Sequence, residues 1–194
     1  MSRPLSALVV AIALFVTLPA AAQDTWQLDP AHCSAQFSVR HLGISTVRGA
    51  FTKVSGAVQY AAAAPDKSSL EAMIEAASVD TRVEMRDNDL RSPNFLDVQK
   101  YPTITFQSKK VEAAGAGKLK VTGDLTVHGV AKEVALDVDG PTPPMKDPWG
   151  NLRMGASATT KINRMDFGVS GRPGVVGDDI TITLDIEMTR QVPK

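Results

Sequence analysis

The sequence predicts an all-β domain of about eight antiparallel strands with one short helical insertion at about residues 82–98. Two observations support this prediction. Most segments after residue 22 alternate apolar and polar residues with a period of two, which is typical of strands that face an apolar interior on one side only. No strand is a continuous apolar run, so no sheet is buried on both faces. Such a sheet closes into an up-and-down barrel or splits into a sandwich.

The N-terminus is typical of a secretory signal peptide, residues 1–22, that is removed from the mature protein. Arg3 supplies a positive start, and residues 5–18 form an apolar run that is short for crossing a bilayer. Small residues at 20–22 favour cleavage after Ala22; an uncleaved membrane anchor is the alternative. The remaining residues, 23–194, have a length that suits a single domain.

Composition excludes several classes of protein. The chain has 21 basic and 21 acidic residues, so its overall charge predicts binding neither to nucleic acid nor to an anionic membrane surface. No other segment is long and apolar enough for stable membrane insertion. The single cysteine, Cys33, rules out an internal disulfide. We interpret it as a tolerated small apolar residue, and an intermolecular disulfide or a reactive thiol is the alternative.

The first half of the domain begins with a short strand at 26–28, a turn at 29–30 and then a hairpin. The hairpin's first strand alternates strictly, and its predicted inward residues are Ala35, Phe37, Val39 and His41. Its second strand is expected from about Thr46 to Tyr60, with Gly49 and Gly56 as bends or bulges. After a loop at 61–68, alternation at 69–78 favours a strand, although its alanines and glutamates would also suit a helix.

One helix is predicted between these strands and the second half. Thr81 and Glu84 have the spacing of a capping box, and a short helix is expected from Arg82 to about Arg91 before Pro93 stops it. The second half then alternates again. Its predicted strands are 101–111, 118–127, 133–139, 154–162 and 179–188, with a tight link at 128–129, a long loop at 141–151 and an irregular segment at 164–178.

Small residues on the predicted inner face suggest an apolar lumen, although sandwich packing could also absorb them. These residues are Ala35, Ala72, Ala76, Gly123, Ala156 and Ala158. Aromatic residues on that face are few. A barrel of eight strands is wide enough to be filled by side chains or to hold one small ligand. An apolar cavity with few polar groups is a binding site for an apolar molecule.

The sequence shows no catalytic motif, so we predict no catalytic residues, no metal site and no cofactor. It lacks a Gly-x-Ser-x-Gly turn, a phosphate-binding glycine loop and a His-Glu-x-x-His helix. His32 and His41 are separated by an odd number of positions, so one regular strand would place them on opposite faces. His41 is expected to be a hydrogen-bonded interior residue or a polar contact to a ligand.

Arginines near the helix have two interpretations. Arg82, Arg86 and Arg91 lie among Asp87 and Asp89, which is typical of a solvated, mutually paired face. The alternative is a cationic rim that binds an anionic head group, for which the forked donors of arginine are suited. Arg164 lies where an inner-face strand ends and an aromatic turn begins. This position fits the mouth of a barrel, so Arg164 is a stronger candidate for binding a head group than an arginine elsewhere on the surface.

Several ordered motifs together resemble the YceI-like family of bacterial periplasmic proteins. They are Phe37-x-Val39-x-His41-Leu42-Gly43, Gly49-x-Phe51, Arg86-Asp87-x-x-Leu90-x-Ser92, Phe95-x-Asp97-Val98-x-x-Tyr101-Pro102, Thr105-Phe106, Gly123-Asp124-Leu125-Thr126-x-His128-Gly129-Val130 and Ile162-Asn163-Arg164-x-Asp166-Phe167-Gly168-Val169. The resemblance spans the domain. The chain departs from the family at Asp89, where a histidine is common, and at Cys33, where a serine is expected.

The resemblance implies a lipocalin-like antiparallel eight-stranded β-barrel that holds a long isoprenoid, of the polyprenyl phosphate or isoprenoid quinone type, in its lumen. It also implies a periplasmic location and makes a homodimer plausible. The lumen residues expected to contact the lipid are Phe37, Val39, His41, Phe51, Ile74, Leu90, Phe95, Phe106, Leu125 and Phe167. The head-group candidates are Arg86 and Arg164. Two alternatives remain: an enzyme that acts on such a lipid at the barrel mouth, or an accessory module for a membrane redox protein.

Overall fold

A computed structural model describes residues 24–190 of the chain. The predicted signal peptide, residues 1–22, therefore lies outside the described residues. One α-helix, α1, spans Glu84–Arg91, and 3-10 turns span Pro65–Lys67, Ala76–Ser78 and Arg164–Phe167. The strands are β1 Asp24–Leu28, β2 Ser34–His41, β3 Ser45–Phe51, β4 Val54–Tyr60, β5 Ser69–Glu75, β6 Val79–Asp80, β7 Thr103–Ala113, β8 Lys118–Val127, β9 Val130–Asp139, β10 Met145–Lys146, β11 Leu152–Asn163 and β12 Val176–Arg190.

The sheet closes on itself as an antiparallel barrel, which confirms the predicted fold class. Neighbouring strands run in the order β11, β9, β8, β7, β5, β4, β1 and β12, and β12 pairs with β11 from Leu152↔Arg190 to Asn163↔Asp179. This last pairing joins the two ends of the order, so the barrel has eight positions around its wall. Closure removes the unpaired sheet edges that an open sheet of this size would expose.

Three of the eight positions are filled by interrupted strands. The strands β1 and β2 both lie against β12, β3 and β4 continue one another around a break at 52–53, and β6 continues β5 after a 3-10 turn. The strand predicted from Thr46 to Tyr60 is thus correct in extent and wrong in continuity. The break falls at residues 52–53, and not at the glycines that the sequence suggested.

The helical insertion is confirmed, but its predicted capping box is wrong. Val83 is the residue before the helix, and no side chain caps it. Thr81 instead uses its backbone N–H and its hydroxyl to donate to Oδ1 of Asp87, at 2.8 and 2.5 Å. Both residues are buried, so the carboxylate replaces the water that the linker between β6 and α1 would otherwise need.

Alternation places every second residue of each strand in the second half inside the barrel. In β12, for example, Ile180, Ile182 and Leu184 point inward, while Asp179 and Asp185 point outward. The core forms two packed clusters, one around Phe106 and Phe167 and one around Trp26 and Met188. Among the described residues, no helix is long and apolar enough to cross a membrane.

Candidate ligand-binding cavity

The barrel encloses a cavity of about 310 Å³. Inward side chains from every position of the wall line it, together with Leu90 of α1 and Phe95 and Leu96 after the helix. Nearly all are aliphatic or aromatic, and the one charged lining residue among residues 24–190 is Arg164. A volume of this size and an apolar lining are typical of a site for a small apolar ligand or for part of a longer one.

Nine of the ten predicted lumen residues line this cavity. They are Phe37, Val39, Phe51, Ile74, Leu90, Phe95, Phe106, Leu125 and Phe167. Their contact with a ligand stays a prediction. His41 is the exception, because it ends β2 at the hairpin turn, half-buried and opposite Ser45 and Val176, and it does not line the cavity. The period-two argument failed there because β2 extends past the cavity before it turns.

One of the small inner residues does not leave space. A Cβ at Gly123 would lie 2.7 Å from Cζ of Phe106, so the phenyl ring occupies the room that the missing side chain provides. Ala156 behaves as predicted, because it lines the cavity and is only half-buried by its protein neighbours. The lumen is therefore partly filled by aromatic rings and partly open.

Arg164, a predicted head-group residue, lines the cavity but has no donor left for a ligand. Its side chain is only 4% exposed. All five N–H groups of the guanidinium are used, at 2.6 to 3.1 Å. The acceptors are the carbonyl oxygens of Val169, Gly171, Val176 and Gly177 and Oδ1 of Asp178. The structure thus corrects the prediction: Arg164 organises the loop between β11 and β12.

Arg86, the other predicted head-group residue, is not part of the cavity lining. Its Nε donates to Oγ1 of Thr81 at 2.7 Å, and Nη2 donates to the carbonyl oxygen of Thr81 at 2.8 Å. Arg86 therefore supports the linker, because it binds the same Thr81 hydroxyl that donates to Asp87. Its role as a head-group contact stays a prediction.

A buried tryptophan lies at the end of the barrel where β12 stops. Trp26 is 1% exposed, packs with Leu28 and Met188, and has the guanidinium of Arg190 5.3 Å above its ring. Arg190 also forms an ion pair with Asp24. Sequence reasoning placed Trp26 only at a strand start; its alternation with Leu28 was the available signal for an inward position.

Near the same end lies a charged cluster that sequence reasoning missed. Arg153 binds Asp147 through Nε at 2.9 Å and Asp29 through Nη1 at 2.8 Å, and Nη1 also contacts Glu187. The Arg153 guanidinium holds the pKa of Asp29 and of Asp147 at about 2, below the usual 3.8, and a hydrogen bond with His32 also lowers the pKa of Asp29. These residues are far apart in the sequence, so no spacing could reveal them.

This cluster also contains the one group of potential metal ligands found among the described residues. Asp29, His32 and Glu187 offer ligand atoms within 4.8 Å of one another. However, the Arg153 guanidinium contacts both carboxylates, so their charge is already balanced by a fixed cation. The arrangement is that of an ion-pair network that ties the loop after β10 to β1 and β12.

Cys33 has the environment of a structural thiol. Its Sγ–H donates to the carbonyl oxygen of Glu187 at 3.4 Å. Partial burial raises the pKa of the thiol above 9.0. A raised pKa lowers the thiolate fraction, which is the reactive form. The position thus favours the interpretation of Cys33 as a small apolar residue.

Comparison with known proteins gives the chain its relatives. The sequence model of a family described as the YceI-like domain matches residues 26–188. A UPF0312 protein from Ectopseudomonas mendocina is 35% identical over 98% of this chain and 100% of its own length. The YCEI protein of Campylobacter jejuni is 34% identical, with a TM-score of 0.70 over 79% of this chain and 90% of its own.

A third relative adds only a likeness of fold. It is a domain of Saccharophagus degradans described as a polyisoprenoid binding domain implicated in plant cell wall breakdown. It is 16% identical to this chain, and the two structures agree with a TM-score of 0.63 over 86% of this chain and 98% of the domain.

Proposed function

The chain belongs to the YceI-like domain family, and from that premise we propose that it is a binding or carrier protein that holds an isoprenoid lipid, or a similar long-chain amphiphile, in its lumen. The observation that carries this proposal is the cavity, which is closed by sheet, lined by apolar groups and provided with one charged residue that has no free donor. Such a site can distinguish apolar ligands by their length and bulk. The description of the Saccharophagus degradans domain as polyisoprenoid-binding supports the same ligand class.

Binding is favoured over catalysis by the same geometry. General acid–base chemistry needs a titratable group within hydrogen-bond reach of the reacting atoms. In the part of the chain that the structure describes, His41 lies outside the cavity lining, and the carboxylates of the Arg153 cluster are held in ion pairs. The proposal therefore assigns the protein to transport, storage or sequestration of its lipid.

We predict that organic extraction of the purified protein, followed by mass spectrometry, recovers a polyprenyl lipid in a stoichiometric amount. Replacing Ala156 by phenylalanine fills space beside the lipid and is expected to reduce the recovered amount about tenfold or more, since overpacking of this kind costs ~1–3 kcal/mol. The matched control is Ala135→Phe, which makes the same change on an exposed position of β9 and should retain the lipid.

The readout separates loss of binding from loss of folding. Circular dichroism should give both variants a cooperative thermal transition, and added isoprenoid should raise the transition temperature of the control but not that of Ala156→Phe. Protein that is empty from every expression host, and that takes up no added isoprenoid, would sink the proposal.

We further propose that the protein is exported to the periplasm. Expression of the full chain in a Gram-negative host is then expected to release, on osmotic shock, a protein whose intact mass corresponds to a start at Gln23. Recovery of the uncleaved chain in the membrane fraction would instead support the N-terminal anchor.

A further inference from the structure

Four exposed apolar side chains lie on two segments, the turn between β2 and β3 and the start of α1. We call Leu42, Ile44, Val83 and Met85 the apolar tip. Ile44, in the turn between β2 and β3, is 79% exposed, and Met85, at the start of α1, is 83% exposed. Isolated exposed apolar residues are common, but a group of four on two neighbouring segments is a candidate interaction surface.

Hydrogen bonds connect these two segments through a third. The backbone N–H of Leu42 donates to the carbonyl oxygen of Val175 at 2.7 Å. Arg172, three residues earlier, forms an ion pair with Asp89 of α1 at 2.7 Å. The β2–β3 turn, the loop before β12 and the helix thus form one continuous surface across this end of the barrel.

A row of arginines lies on the outer wall directly beside the tip. In the β2–β3 ladder, Arg40 pairs with Thr46 and Ser38 pairs with Arg48, which makes the two arginines diagonal neighbours. In the next ladder Ala50 pairs with Asp80, where β6 ends, and Arg82 follows two residues later with a left-handed backbone. The side chain of Thr81 confirms this register, because it lies 2.8 Å from where a Cβ of Gly49 would be.

These three arginines have no carboxylate partner in the described chain, and neither do Arg86 and Arg91, whose guanidinium groups donate to Thr81 and to Ala77, Val79 and Asn88 respectively. Arg40, Arg48 and Arg82 are all exposed, and no carboxylate oxygen lies within 4.0 Å of their guanidinium nitrogens. By contrast, each arginine from residue 153 onward has such a partner. They are Arg153, Arg164, Arg172 and Arg190. The row therefore presents three guanidinium groups that are not held in ion pairs, with one carboxylate among them, Asp80, whose Oδ1 accepts a hydrogen bond from the backbone N–H of Arg82.

We propose that this end of the barrel docks on an anionic phospholipid bilayer, with the apolar tip inserted among the acyl chains and the arginine row on the phosphates. An exposed apolar group flanked by basic residues is the pattern of proteins that bind reversibly in the interfacial region. Arginine suits the phosphates because its donors are forked. This surface goes beyond the lipid-binding function proposed above and stands without it.

The same strand carries both the docking surface and the cavity. Phe37 and Val39 point into the lumen, and Arg40 lies next to them on the outer face of β2. Leu90 of α1 also lines the lumen at this end. A docked barrel would thus hold the end of its cavity against the bilayer, which is the position that exchange of a lipid requires.

Co-sedimentation with vesicles tests the docking surface. The protein, with its N-terminus established by intact mass, is mixed with vesicles of phosphatidylcholine alone or with added phosphatidylglycerol. We expect binding to the anionic vesicles that weakens as salt is raised. Arg48→Gln with Arg82→Gln should reduce the partition coefficient about 25-fold, since each basic residue near such a surface contributes about fivefold. Lys120→Gln with Lys132→Gln makes the same charge change on β8 and β9 and should leave it unchanged.

A second pair of variants tests the apolar contribution. Ile44→Ser with Met85→Ser is expected to reduce binding at least tenfold, since burial of one such side chain is worth ~1.5–3 kcal/mol. The matched control is Trp149→Ser with Met145→Ser, because these residues are 80% and 66% exposed at the other end of the barrel. Both variants share the wild-type N-terminus, so any contribution of residues before 24 cancels.

Three results would overturn the proposal. One is equal sedimentation with neutral and anionic vesicles. The second is equal losses in the tip variants and their controls. The third is a concentration-dependent dimer in sedimentation velocity that Ile44→Ser abolishes, because the occupant of the tip would then be a second copy of the chain. The Ala156→Phe variant should still bind vesicles, so a failure of lumen binding and a failure of docking are distinguishable.

Discussion

Replacing Arg164 by methionine is expected to destabilise the barrel by about 3–5 kcal/mol, the range for removing one partner of a buried, charged hydrogen-bond network. Methionine keeps much of the side-chain volume, so the loss is one of hydrogen bonds and not of packing. Four carbonyl oxygens between Val169 and Gly177 lose their donors, and Asp178 loses its cation. Chemical denaturation followed by circular dichroism measures the change.

The geometry of the guanidinium makes lysine a poor replacement at this position. Five acceptors surround three nitrogens that lie in one plane, and an ammonium group has three donors at a single nitrogen. Arg164→Lys is therefore expected to lose most of the stability that Arg164→Met loses. A lysine variant as stable as wild type would show that charge alone suffices there.

Arg172 provides the control for Arg164 within the same loop. It also forms an ion pair, with Asp89, and this interaction lowers the pKa of the Asp89 carboxyl, but its side chain is 58% exposed. Exposed pairs contribute little because solvent screens them. Arg172→Met is thus expected to leave the midpoint of the unfolding transition nearly unchanged. Equal losses from the two variants would contradict the role assigned to Arg164.

The fold was accessible to sequence reasoning because most of the wall repeats one simple pattern. In β12, the apolar residues between Ile180 and Met188 alternate with charged and hydroxyl residues. This pattern alone identifies the side of the strand that faces the lumen. The interruption at 52–53 was not accessible, because it depends on the pairing of the strands. On this side β3 pairs with β6, whereas β4 pairs with β5. The capping box failed for a related reason: Thr81 has a tertiary partner, Asp87, that competes with the local cap.

The site residues were predictable where their position follows from the alternation of a strand. They were unpredictable where their role depends on contacts with residues that are distant in the sequence. Phe37 and Phe106 follow from alternation alone and both line the cavity. The sequence marks Arg164 as important, but its role depends on carbonyl oxygens whose positions only the folded loop defines. The same holds for Arg153, whose partners come from β1, β12 and the loop after β10.

Replacing Arg153 by methionine is expected to lower the melting temperature at pH 7 and to have progressively less effect below pH 4. In the folded wild type the pKa of Asp29 and of Asp147 is about 2, compared with 3.8 for an unperturbed carboxyl. A group whose pKa is lower in the folded than in the unfolded state contributes stability above the unfolded value, and it loses that contribution as pH falls through the folded one. The contribution of the network is therefore complete above about pH 5 and is lost progressively as pH falls towards 2 and below.

Melting temperatures of wild type and Arg153→Met, measured from pH 7 to pH 2, should form two curves that are furthest apart at neutral pH and converge in acid. The carboxylates face one another without the guanidinium, so the variant is weakest where they are fully ionised. Lys161→Met on the same strand removes an exposed ion pair with Asp179 and should follow wild type throughout. Curves for Arg153→Met and wild type that stay parallel down to pH 2 would contradict the role assigned to the ion pairs with Asp29 and Asp147. Convergence would instead identify the network as the element that ties the loop after β10 to the barrel wall, because only a charge contribution disappears on protonation.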